Sequence, residues 1–129
     1  MEIYLNYGEE NFLVEYNTKK KVEEYNLSNP SMNLIYLNDD NIDKLIQNCE
    51  QLPFFDEKKI IVAKNTGIFS SGSKKVSTDV VEKILEYVEN LPDYIVLIFS
   101  EENVDKRLAA YKKISKIAKC TEYKFNSIV

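Results

Sequence analysis

The chain has 129 residues, enough for one domain that buries roughly two thirds of its unfolded surface. Hydrophobic residues make up 44% and charged residues 29%, ordinary values for a globular protein, and 17 basic against 21 acidic side chains leave a net charge of −4. That balance lacks the basic footprint of a direct nucleic-acid binder, and the absence of histidine removes the commonest general base and metal ligand, which argues against an enzyme.

Short apolar runs alternate with helical patterns along the chain. Ile3-Tyr4-Leu5-Asn6-Tyr7 reads as a first strand ended by Gly8, and a helix carrying Phe12, Leu13 and Tyr16 follows, reaching toward Tyr25. The Asn29-Pro30-Ser31 turn leads to a second strand, Asn33-Leu34-Ile35-Tyr36-Leu37. Asn38, Asp39 and Asp40 offer helix N-caps, and Ile42, Leu45, Ile46 and Cys49 then form one apolar helical stripe. Lys59-Ile60-Ile61-Val62-Ala63-Lys64 is a third strand, apolar enough to be covered on both faces. A Gly-, Ser- and Lys-rich loop spans about residues 65–77. The next helix has the stripe Val81, Ile84, Leu85 and Val88 and stops before Pro92. Tyr94-Ile95-Val96-Leu97-Ile98-Phe99 is the most apolar strand and the expected centre of the sheet. Val104, Leu108, Tyr111 and Ile114 mark a last helix, and a fifth strand is expected around residues 121–124. Repeated βα units with short connections predict an α/β fold: a five-stranded, mostly parallel sheet flanked by helices, forming one domain over residues 1–129.

Cys49 and Cys120 fit no metal-ligand or redox spacing and read as reduced thiols of a cytoplasmic protein, Cys49 as inert packing on its helical stripe. There is no signal-peptide pattern and no apolar run long enough to cross a membrane. Lys19-Lys20-Lys21 and Lys112-Lys113 read as solvated helix faces, and most of the nine tyrosines as half-buried core.

One connection breaks the usual chemistry of connections. Pro53 ends the preceding helix near Gln51, yet Phe54 and Phe55 follow where polar or turn-forming residues are the rule. Two adjacent phenylalanines at a proline-stiffened corner either fold inward as core or project as a small wedge suited to a hydrophobic pocket on a partner.

In sheets of this class ligands bind at the carboxyl ends of the strands. A phosphate loop after the first strand would read G-x-x-x-x-G-K-[ST]. Here Gly8 is followed by Leu13 at the second glycine, Val14 at the lysine and Glu15 at the hydroxyl, with Glu9 and Glu10 facing any anion. Those two carboxylates suit the positive end of a helix dipole instead. A second glycine-rich stretch, Gly67-Ile68-Phe69-Ser70-Ser71-Gly72-Ser73-Lys74, has phosphate-loop glycine spacing, but its serine and lysine are transposed and no acidic residue ends the strand before it. It reads as a mobile surface loop. A phospho-acceptor receiver domain fails too: Glu9, Glu10 and Lys124 could imitate its acidic pair and lysine, but no aspartate ends the third strand.

Tyr4-Leu5-x-Tyr7-Gly8-Glu9-Glu10-x-Phe12-Leu13, Asn33-Leu34-Ile35-Tyr36, Cys49-Glu50-x-Leu52-Pro53-Phe54-Phe55-x-Glu57-Lys58-Lys59 and Val96-Leu97-Ile98-Phe99 leading into Val104-Asp105-Lys106-Arg107 together resemble the N-terminal domain of the delta subunit of bacterial DNA polymerase III, the clamp-opening subunit of the clamp loader. The resemblance runs over essentially the whole chain. It implies an AAA+-like P-loop NTPase fold that has lost its nucleotide site, and an intact subunit with a helical lid and a collar domain beyond this one. It implies no cofactor and no ATPase or polymerase chemistry in this chain. It also implies that Phe54 and Phe55, with Leu52 and Pro53 shaping the approach, enter a pocket on the beta sliding clamp. Two matches depart from the family: the first hydrophobe of the pair, often leucine, is Phe54, and a glutamine that often begins the clamp-binding peptide aligns with Glu50. Expected partners are the clamp and the other loader subunits (delta-prime and tau/gamma), with DNA met only through the intact complex. Two further readings stand beside it: a non-catalytic adaptor packing on loader subunits, and a nucleotide-binding switch of the doubly wound class.

Overall fold

The computed structural model describes residues 1–71 and 76–125. Five strands, β1 (Glu2–Tyr7), β2 (Leu34–Leu37), β3 (Lys59–Lys64), β4 (Ile95–Glu101) and β5 (Lys119–Glu122), form one sheet in the order β2-β3-β4-β1-β5. Every pairing is parallel, so the sheet expected to be mostly parallel is wholly so. Helix α1 (Asn11–Glu24) joins β1 toward β2, and α2 (Pro30–Asn33) is a single turn before β2. A 3₁₀ turn, Ile42–Lys44, precedes α3 (Leu45–Cys49); α4 (Thr78–Tyr87) precedes β4, and α5 (Ala109–Ile117) precedes β5.

The period-2 alternation of each central strand feeds two cores. Ile3, Leu5, Tyr7, Ile61, Ala63, Ile95, Leu97 and Phe99 point to the face covered by α3, α4 and α5. Ile60, Val62, Val96 and Ile98 point to the opposite face, where Tyr4, Val22, Tyr25, Leu27 and Leu34 pack. Burial on both faces is why β3 and β4 read as unbroken apolar runs. Central position belongs to β4, as its apolarity predicted, with all seven residues buried.

Several local expectations shift. Helix α1, read as carrying Phe12, Leu13 and Tyr16, buries Val14 and Thr18: Asn6 in β1 is buried and needs a partner, and its Nδ2 donates to Thr18 Oγ1 at 3.1 Å. Phe12 and Tyr16 therefore lie on the outer face. Asn38 does not cap a helix. Its Oδ1 accepts from the Asp40 N–H and its own N–H donates to Asn41 Oδ1, which delays the helix and leaves Ile42 in the 3₁₀ turn. Val104 lies before α5 in the connection, and β5 starts two residues earlier than expected because Lys119 pairs with Tyr4 of β1.

The glycine-rich stretch is not a surface loop at its start. Ile68 and Phe69 are buried, and Phe69 meets Phe99 edge-on with ring centroids 5.2 Å apart. Residues 72–75, including Gly72, Ser73 and Lys74, lie outside the described residues. Cys49 is fully buried and burial pushes its thiol up to about 12, which keeps it protonated and unreactive.

Candidate functional site

The connection from α3 to β3 lies at the amino end of the sheet, opposite the edge where ligands bind in open parallel sheets. It turns outward at once. Leu52 is 74% exposed, Phe54 49% and Phe55 83%, while Pro53 is half-buried. The two rings touch edge-on with centroids 4.5 Å apart. Phe55 has φ 61°, a left-handed conformation that bulky residues rarely adopt. Among the described residues the most exposed large apolar side chain, Phe55, thus sits on strained backbone at a corner.

Beneath the rings the backbone is tied down. The side chain of Asn33, the last residue of α2, grips Phe54 from both sides: Phe54 N–H donates to Asn33 Oδ1 at 2.7 Å, and Asn33 Nδ2 donates to the Phe54 carbonyl at 2.8 Å. Asn33 Nδ2 also donates to Asp56 Oδ2 at 2.7 Å. Asp56 accepts from the backbone N–H groups of Ser28, at 2.8 Å, and Asn29, at 2.9 Å. Those donors, Ser28 first, hold the Asp56 carboxyl below its usual range. Lys58 pairs with Glu2 at 2.7 Å and donates to the Asp93 carbonyl. Buried Lys59 donates to the carbonyls of Asn48, in the last turn of α3, at 2.7 Å and of Gln51 just beyond it, and Tyr94 Oη donates to the Cys49 carbonyl at 2.8 Å. Burial lowers the Lys59 pKa.

The other predicted position lies at the far edge. Gly8, with φ 138°, follows β1, and a Cβ there would sit 2.1 Å from the Tyr123 carbonyl oxygen. That carbonyl accepts from the Glu10 N–H at 3.2 Å, and the Tyr123 N–H donates to the Tyr7 carbonyl at 2.8 Å. The strand end after β5 therefore occupies space beside the loop and uses an amide a phosphate would need. Leu13 is half-buried, Val14 is buried at the lysine position, and Glu15 is ion-paired with Lys64. The adjoining cleft, about 430 Å³, is lined by Glu9, Glu102, Asp105 and Glu122 against Lys124. Its carboxylates oppose a polyphosphate. Behind it, buried Glu101 accepts from Thr66 N–H and Oγ1, and burial pushes its carboxyl up to about 7.

Asn33, Asp56 and Lys59 were not singled out in the sequence. Asn33 read as the first residue of a strand and lies 21 residues from its hydrogen-bond partner Phe54. The local signal was an aspartate right after two exposed aromatics, which is no signature by itself.

The wholly parallel α/β sheet thus carries an outward apolar corner at its amino end and, at its carboxyl end, a Gly8 loop packed against the Tyr123 backbone. The chain matches the family model described as DNA polymerase III, delta subunit, over residues 4–124, and it belongs to that family. It is 28% identical over 134 aligned positions to DNA polymerase III subunit delta of Bacillus subtilis (strain 168), covering 95% of this chain and 37% of the relative. The chain thus spans little more than a third of that relative's length. Its fold matches that of the Bacillus subtilis DNA clamp loader delta protein with a TM-score of 0.83 at 22% identity, covering 96% of this chain and 38% of that one. A DNA polymerase III gamma subunit-related protein from Thermotoga maritima matches with a TM-score of 0.67 at 12% identity, over 97% of this chain and 41% of that one. These two likenesses bear on the fold, which is AAA+-like.

Proposed function

We propose that residues 1–129 are the N-terminal, clamp-binding domain of a clamp-loader delta subunit, whose intact form also carries a helical lid and a collar domain. On this reading the domain docks on the beta sliding clamp through a wedge of Leu52, Pro53, Phe54 and Phe55 and helps open the ring for loading onto primed DNA. The observation that carries it is the exposure of two phenylalanines on a corner where Asn33 holds both backbone polar groups of Phe54. Each ring buried in a partner pocket contributes about 1.5–3 kcal/mol, so the pair acts as a hot spot without a large interface.

Opening needs no chemistry in this chain. It follows if the wedge binds an open or distorted clamp interface better than the closed one, since a ligand shifts an equilibrium only by its differential affinity. The domain is then a non-catalytic, cytoplasmic part of the polymerase holoenzyme, with no cofactor, and it meets DNA only through the assembled complex. The buried Val14, the Glu15–Lys64 pair and the Tyr123 carbonyl beside Gly8 support a phosphate loop that no longer binds nucleotide. No helix among the described residues is long and apolar enough to cross a membrane.

A second contact surface has its own support. Phe12 and Tyr16 stack on the outer face of α1 with centroids 6.0 Å apart, and Lys20 lies over the Tyr16 ring. This face suits packing on the other loader subunits, delta-prime and tau/gamma. The wedge is tested by a pull-down with the same organism's clamp: replacing Phe54 and Phe55 together by alanine should abolish capture, and undiminished capture would move the docking surface elsewhere.

A further inference from the structure

The rings that face solvent move only as far as the backbone beneath them allows, and the side chains of Asn33 and Asp56 hold that backbone. Asn33 is 1% exposed. Its amide pairs with both backbone polar groups of Phe54, and the second Nδ2 hydrogen goes to Asp56. A flipped amide would set its oxygen against the Phe54 carbonyl and a carboxylate, so Asp56 fixes which way Asn33 points. Asp56 is in turn fixed by two backbone N–H groups of the α1–α2 turn. The left-handed Phe55 persists because this network surrounds it on both sides in sequence.

We infer that Asn33 and Asp56 are positioning residues for docking: they hold the Phe54–Phe55 pair in its binding-competent arrangement before the partner arrives. The inference rests on the clamp reading above. Its physical basis is that apparent affinity falls in proportion to the fraction of molecules in the competent conformation. Without the Asn33–Asp56 network, Phe55 leaves the left-handed region and the two rings part. The contact surface keeps every atom and loses its shape.

The test measures clamp affinity of the 129-residue chain carrying Asn33→Ala or Asp56→Ala, with hydrogen–deuterium exchange of the free chain alongside. Each change should weaken binding about tenfold, corresponding to a competent fraction near a tenth. Exchange of residues 52–56 should quicken while β3 and β4 keep their protection. Most of the affinity loss should vanish when Phe55 is already alanine, because a network that acts through the rings has nothing left to position. An equal loss in the presence and absence of Phe55 marks a merely structural role and overturns the inference, as does unchanged affinity in both variants. Should Asn33→Ala unfold the chain, Asp56→Ala at the more open side of the network decides. Failure of the unmodified chain to bind the clamp removes the clamp reading, and the positioning role with it. Binding with unaltered affinity in the variants removes the positioning role alone.

Discussion

Glu101 makes the stability of this domain depend on pH in an unusual direction. It ends the central strand with 2% exposure, and burial raises its carboxyl from an ordinary 4.5 to about 7, with the Asp39 carboxylate adding to the rise and the Thr66 hydrogen bonds opposing it. A carboxyl with a raised folded pKa binds more protons folded than unfolded. Stability is therefore greatest below about pH 4.5 as far as this group is concerned, and it declines as pH climbs through 7. The difference corresponds to roughly 3 kcal/mol above pH 7, or a melting temperature lower by about 10 °C for a domain of this size. Few other groups obscure the effect, because the chain has no histidine and the depressed carboxyls such as Asp105, at about 2, titrate far below the window. Calorimetric melting between pH 5 and 8 should show the decline, and Glu101→Gln should flatten it. A melting temperature that is level or rises between pH 5 and 7.5, or a slope that survives Glu101→Gln, would refute the reasoning.

Gly8→Ala should destabilise the chain by at least about 2 kcal/mol and loosen β5, seen as faster amide exchange at residues 119–123, since the new methyl meets the Tyr123 backbone. Lys59→Ala removes the donor to the Asn48 and Gln51 carbonyls and should cost about 2 kcal/mol in urea unfolding. Isothermal titration with Mg-ATP should give no heat of binding. Micromolar affinity would revive the nucleotide-switch reading and contradict the role assigned to Tyr123 and the acidic cleft.

The strands were legible because burial on both faces writes itself as unbroken apolar runs: Ile60 to Ala63 and Ile95 to Phe99 needed nothing but composition. Gly8 was legible as a strand end, and the mismatch of Leu13, Val14 and Glu15 to a phosphate loop was visible residue by residue. What escaped was set by contacts distant in sequence. The side of α1 that faces the sheet follows from buried Asn6 needing Thr18, a partner 12 residues on that no local pattern marks. The start of β5 follows from its register on β1, 115 residues away for Tyr4 and Lys119. The Phe54–Phe55 corner could be core or wedge in the sequence, because what keeps it outward is Asn33, reached only through the folded sheet. Ile68 and Phe69 escaped for the converse reason: glycine and serine around them marked a loop, while an edge-on contact with Phe99 drew them inward.

The two ends of the sheet support opposite roles. At the carboxyl end, the Tyr123 backbone, the Glu15–Lys64 pair and an acidic cleft surround the Gly8 loop; at the amino end, a braced corner exposes two rings, which the proposed function assigns to the clamp. The most direct test is the equilibrium dissociation constant for the sliding clamp, measured with the unmodified chain and with Phe54 and Phe55 both replaced by alanine, each paired with a thermal melt. Losing two buried rings should weaken binding by about 10²–10⁴-fold, at about 1.5–3 kcal/mol for each ring. The exposed pair contributes no more than about 1.5 kcal/mol to folding, so the melting temperature should drop by under about 8 °C. Unaltered affinity, or a fall of tens of degrees in the melt, would contradict the wedge and return the two phenylalanines to the core.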